Sequence, residues 1–93
     1  MPVAEQIRNF VKENFLFGNA NFALNNNDSF IEKGIIDSTG VLELVSFVEE
    51  KFNFRIFDEE IIPDNLDSIS NLTSFIERKT NWIIYVSKWL FAN

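Results

Sequence analysis

The dipeptide Asp37-Ser38 closes the run Gly34-Ile35-Ile36 and stands just before Val41-Leu42-Glu43-Leu44-Val45, where helical periodicity begins. An apolar pair leading in, an acid, and then a hydroxyl at a helix start make Ser38 a candidate for covalent loading with a prosthetic group. The free backbone N–H groups and the positive end of the helix dipole favour a phosphodiester on that oxygen. The competing assignment is a plain helix cap, which contributes about 1 kcal/mol and no chemistry. Composition closes other routes. The chain has no histidine, so a Ser-His-Asp arrangement is impossible and the commonest metal ligand is missing. It has no cysteine either, which removes disulfides, Cys-type zinc sites and thiol catalysis. Lys33 reads as a solvated loop lysine rather than as the base of a Ser-Lys pair, and no enzymatic activity is expected.

The elements that position Ser38 must come from a small domain. A chain of 93 residues fits one compact module, which buries only roughly 60–65% of its unfolded surface and needs a dense core when it has no covalent staple. Eleven phenylalanines, with Ile, Leu and Val, supply that core; the same rings could also line a cavity, and periodicity does not choose between these uses. Val3, Ile7, Phe10, Val11 and Phe15 recur at helical spacing and predict a first helix stopped by Gly18. A long Asn-rich connection to Ile36 follows, expected to dock through Phe22, Leu24, Phe30, Ile35 and Ile36. The second helix is predicted to start at Asp37 or Ser38 and run to about Phe52, with Val41, Leu44, Val45, Val48 and Phe52 inward. Thr39, Glu43, Ser46 and Glu50 form its opposite, polar stripe. Asp58-Glu59-Glu60-Ile61-Ile62 predicts a short third helix ended by Pro63. A final helix is capped by Ser68 or Ser70, with Ile69, Leu72, Phe75 and Ile76 inward.

Charge concentrates around the candidate site. Nine of the fourteen acids lie between Asp37 and Asp67, where Lys51 and Arg55 are the only bases. Such a field repels nucleic acid and attracts basic protein surfaces. The polar start, Met1 to Gln6, has no secretory-signal pattern, and the apolar closing segment from Trp82 to Phe91 is shorter than the roughly 20 residues of a spanning helix. A cytoplasmic monomer away from membranes is the expectation.

Taken together, Gly34-Ile35-Ile36-Asp37-Ser38, Glu43-Leu44-Val45, Val48-Glu49-Glu50-Lys51-Phe52, Asp58-Glu59-Glu60 and Leu66-Asp67-Ser68-Ile69 make a chain that resembles the acyl carrier and peptidyl carrier protein family. The resemblance covers nearly Met1 to Lys79. It implies an all-α, acyl-carrier-type four-helix bundle with a short third helix, over residues 1–80. It further implies that Ser38 carries 4′-phosphopantetheine, transferred from coenzyme A by a separate phosphopantetheinyl transferase, whose terminal thiol holds acyl or aminoacyl cargo as a thioester. Asp37 would help the transferase orient coenzyme A and metal. Thr39, Glu43, Glu50, Asp58 and Glu59 would meet a ligase or transferase with a basic docking surface.

Two features depart from the family pattern. Members serving fatty acid synthesis place Leu or Met after the serine and then an acid, whereas here Thr39 and Gly40 follow; Gly40 is also a weak helix former. These positions point to a specialised carrier, and they keep open a carrier-like interaction module that is not modified. Residues 81–93 form the second departure, an aromatic extension. Helical spacing puts Trp82, Tyr85 and Trp89 on one side and Ile83, Val86 and Leu90 on another. This extension reads as a fifth segment packed across the bundle, with partner docking, dimerisation and membrane-surface anchoring as alternatives.

Overall fold

Apolar spacing of three and four residues, cut by breakers and caps, folds the chain into helices. The computed structural model describes the backbone of residues 1–17 and 22–91, and their side chains except those of residues 82–89 and 91. Among the described residues there are four α-helices and no strand: α1 (Val3–Asn14), α2 (Ser38–Phe52), α3 (Pro63–Leu66) and α4 (Ile69–Phe91). None of them is long and apolar enough to cross a membrane. One 3-10 turn, Asp58–Glu60, precedes α3.

Each helix buries the stripe its sequence carries. α1 contributes Ile7 and Val11, α2 Leu44, Val45 and Val48, and α4 Ile69, Leu72, Phe75 and Ile76. Val41 and Phe52 are half-buried at the margins of the α2 stripe, while Thr39, Glu43, Ser46 and Glu50 all face solvent. α4 packs on α1 and α3. α1 meets α2 through rings, with Phe10 and Phe47 stacked at 4.0 Å between centroids. The Asn-rich connection docks as expected: Leu24, Phe30, Ile35 and Ile36 are buried in the same core, and Phe22 packs against it.

The helix ends correct three expectations. α1 stops at Asn14, with Phe15 as its C-cap and Phe17 in the left-handed region at φ 51°; Gly18, expected to stop it, lies outside the described residues. The predicted third helix is divided. Glu60 accepts the Phe57 N–H and closes a 3-10 turn, and Pro63 then opens α3 instead of ending a helix. A proline fits a first helical position because its missing N–H would have no intrahelical partner there and its φ is already helical. Finally, the backbone of residues 81–91 continues α4 rather than forming a separate fifth segment. No glycine or proline between Ile69 and Phe91 interrupts the helix. The sidedness expected for Trp82, Tyr85 and Trp89 lies outside the described side chains.

Candidate functional site

The site is assembled from the loop that leads into α2. Ser29 O accepts the Lys33 N–H and Ile31 O accepts the Gly34 N–H, turning the chain. Gly34 sits at φ +69° with nothing within 4 Å of a would-be Cβ, so its backbone conformation, not space, calls for glycine. Ile35 and Ile36 then bury themselves and both direct their N–H groups to Phe30 O. With that pair fixed inside, Asp37 emerges extended and caps α2: its Oδ1 accepts the Gly40 N–H at 2.7 Å. Ser38 is therefore the first helical residue, and it is exposed. Helix geometry leaves the N–H groups of the first residues without intrahelical acceptors, so a phosphate on the Ser38 oxygen would meet donors and the helix dipole.

Gly40, two residues on, is buried. A Cβ there would lie 2.8 Å from Phe15 Cε1 and 3.0 Å from Ile36 Cγ2. The ring of Phe15 occupies the space a side chain would take, so Gly40 lets the end of α1 press on the first turn of α2. The weakness expected of glycine in that turn is offset by this packing and by the Asp37 cap.

Two surface depressions, one apolar and one mixed, lie along α2 one turn beyond Ser38. Val41, three residues on, lines a cavity of about 80 Å³ together with Ile31, Ile61, Ile62, Pro63, Leu66 and Asp67. Leu42, four residues on, is 61% exposed and borders an open groove with Phe10, Asn14, Glu43, Ser46, Phe47 and Glu50. Residues three and four apart share a helix face, so Val41 and Leu42 lie on the same side of α2 as Ser38, one turn further on. Sequence reading assigned no role to Leu42 or Ile31; the signal available for Leu42 was its four-residue spacing from Ser38.

The sequence-predicted residues fall into two groups. Asp37, Ser38, Thr39, Glu43 and Glu50 come together along the exposed side of α2. Asp58 and Glu59 are exposed on the separate 3-10 turn. No cluster of three or more metal-binding side chains occurs among the described residues.

Asp-Ser occurs three times in the chain, and the other two copies commit their hydroxyls. Ser29 Oγ donates to Asp67 Oδ2 and accepts the Glu32 N–H. Ser68 is 5% exposed and its Oγ accepts the Asn71 N–H at 3.0 Å. Ser38 alone of the three is exposed at a helix start. Comparison of the chain with protein-family models, with curated proteins and with solved structures finds no match.

Proposed function

We propose that this chain is a specialised acyl or aminoacyl carrier protein, an acyl-carrier-type four-helix bundle that bears 4′-phosphopantetheine on Ser38 and presents cargo to partner enzymes. The observation that carries this reading is the exposed hydroxyl of Ser38 on the first residue of α2, directly after a capping aspartate. When attached, the group supplies a terminal thiol that holds cargo as a thioester, chemistry the chain itself lacks for want of cysteine.

The chain's own residues have defined tasks in this reading. Ser38 Oγ takes the phosphopantetheinyl group from coenzyme A in the transferase's site. Asp37 Oδ1 is committed to the Gly40 N–H, which leaves Oδ2 to face the transferase and its metal. The start of α2 stabilises the phosphodiester charge. Glu43 and Glu50, exposed along the same helix, supply an acidic surface for a ligase or transferase with a basic docking face. Asp58 and Glu59 add negative charge from the 3-10 turn. The sign of this field favours basic protein faces over nucleic acid as partners.

Intact-mass measurement after incubation with coenzyme A, magnesium and a broad-specificity phosphopantetheinyl transferase tests the reading. One phosphopantetheine is expected on the wild-type chain and none on Ser38→Ala, with the two thermal midpoints nearly equal. No mass gain with several transferases would replace the reading with that of an unmodified interaction module.

A further inference from the structure

The last helix outruns the bundle it helps to build. Asp67, just ahead of α4, is bonded to Phe30 and Ile31 in the loop that leads to Ser38, so α4 starts at the Ser38 end. By Lys79 it has reached the other end. Lys79 Nζ donates to both Glu60 carboxylate oxygens, at 2.9 and 3.0 Å. It also lies 4.9 Å from the ring centroid of Phe57 and 5.9 Å from that of Phe54, residues just past the last turn of α2. The backbone stays helical to Phe91, which carries the helix about 18 Å further. The long axis of the molecule is accordingly 53 Å, against 28 and 20 Å for the other two.

The register that buries Ile69, Leu72 and Ile76 continues at steps of three and four through Lys79 to Ile83, Val86 and Leu90. Trp82, Tyr85 and Trp89 take the neighbouring register positions. A helix with so wide an apolar face calls for cover, and Leu90, near its tip, is 58% exposed. At the root of the extension a second apolar group is open to solvent: Phe57, beside Lys79, is 54% exposed. Lipid is a poor match for the extension. An interfacial helix carries a polar face rich in Lys and Arg, and Lys88 is the only charged side chain after Lys79.

We propose that the α4 extension pairs antiparallel with that of a second copy of this chain, the tip of each helix covering Phe57 at the root of the other. Centred on Tyr85, the pairing sets Leu90 of one copy level with Thr80 of the other and Phe91 level with Lys79, beside which Phe57 lies. Charge selects the orientation. Residues 1–79 carry a net charge of −7, and residues 80–93 carry +1 through Lys88. Antiparallel pairing holds the two acidic bundles at opposite ends and brings each Lys88 toward the exposed Asp58 and Glu59 of the other copy; parallel pairing sets the bundles side by side, where they repel. The area suffices as well. Aromatic side chains bury about 150–250 Å² each, so Trp82, Tyr85 and Trp89 together with Ile83, Val86 and Leu90 approach the roughly 800 Å² per partner of a stable interface. A two-fold pairing closes at two copies. It leaves both Ser38 ends pointing outward and is independent of the function proposed above.

Sedimentation equilibrium of the unmodified full chain should give twice the chain mass in the micromolar range. Leu90→Glu and Phe57→Arg each place a charge in both contacts of the pair, and each should raise the dissociation constant about tenfold or more, with far-UV circular dichroism unchanged. Mixing the two variants should restore dimers, because the mixed pair sets the new carboxylate against the new guanidinium in one contact and keeps Leu90 on Phe57 in the other. Orientation is read separately. The chain has no cysteine, so a spin label on Ser74→Cys, an exposed position of α4, reports one distance: about 33 Å along the axis of an antiparallel pair, roughly 10–20 Å in a parallel one. A monomer at every concentration up to about 1 mM, a mass above two copies, the short distance, or no recovery in the mixture would each overturn the pairing. Cosedimentation with phosphatidylglycerol vesicles in place of self-association would assign the extension to a lipid surface and overturn it as well.

Discussion

Asp37-Ser38 and Asp67-Ser68 are the same dipeptide before two helices, and they are used one residue out of register. At α2 the chain arrives extended from the buried Ile pair, with Asp37 at φ −97°, ψ −177°, so the aspartate takes the cap position and the serine falls on the first helical residue. At α4 the chain arrives from α3, with Asp67 at φ −88°, ψ 9°. That conformation is unlike the extended one typical of a cap, and the cap passes to Ser68. Asp67 is released to reach across to Ser29 Oγ and the Ile31 N–H. The lesson is that the backbone approaching a helix, more than the residues at its start, decides whether a hydroxyl is consumed by structure or left for chemistry.

The strongest way to break this contrast is to delete both aspartates in turn. Asp67→Ala removes a charged acceptor from Ser29 and Ile31, and about 2–3 kcal/mol of stability should be lost. Asp37→Ala loses one cap, about 1 kcal/mol. Urea denaturation monitored by circular dichroism reads both, and equal losses would dissolve the distinction. Gly40 sharpens it from the other side. Gly40→Ala gains up to about 1 kcal/mol in helix propensity but forces a methyl against Phe15, an overpacking cost of about 1–3 kcal/mol, so net destabilisation is expected. In a Phe15→Leu background the same change should become neutral or stabilising, and a double-mutant cycle measures the coupling.

The smallest effect concerns acid. Burial pushes the Glu60 carboxyl up, but the Phe57 N–H bond and the hydrogen bond and charge of Lys79 outweigh it and hold the group below its ordinary 4.5. A depressed carboxyl contributes stability above 4.5 that disappears as pH falls through the lower folded value. Between wild type and Glu60→Gln the stability difference should therefore shrink below pH 4.5, by about 1 kcal/mol or less. A difference that stays constant from pH 6 to pH 3, roughly spanning ordinary carboxylate titration, would remove Glu60 as its source.

Most of α1, α2 and the inward face of α4 was legible in the sequence, because amphipathic spacing and Asp or Ser caps are local signals. The same signals left the cap between Asp37 and Ser38, and the extended backbone at Asp37 decides it for the aspartate. Pro63 misled because a proline both ends and begins helices, and the pattern before it carried too few residues to decide. The continuation of α4 past Lys79 was legible in the lack of any breaker, but the change to an aromatic composition suggested a separate element. What could not be read was tertiary. Phe15 on Gly40 joins residues 25 positions apart, Lys79 finds Glu60 across 19, and Asp67 finds Ile31 across 36; none of these pairs leaves a periodic trace.

The Ser29 to Asp67 clasp spans 38 positions and so closes a loop that contains the whole of α2. Closing such a loop costs chain entropy that is recovered only when its two ends are in place. The i to i−4 bonds of α2 are local and can form on the scale of about a microsecond. The order of events in a refolding chain follows: the helix that presents Ser38 takes shape early, and the loop bringing Ile31 against it is fastened late. Stopped-flow measurement on the Asp67→Ala chain reads this order directly, since loss of a late contact speeds unfolding and leaves the folding rate nearly untouched.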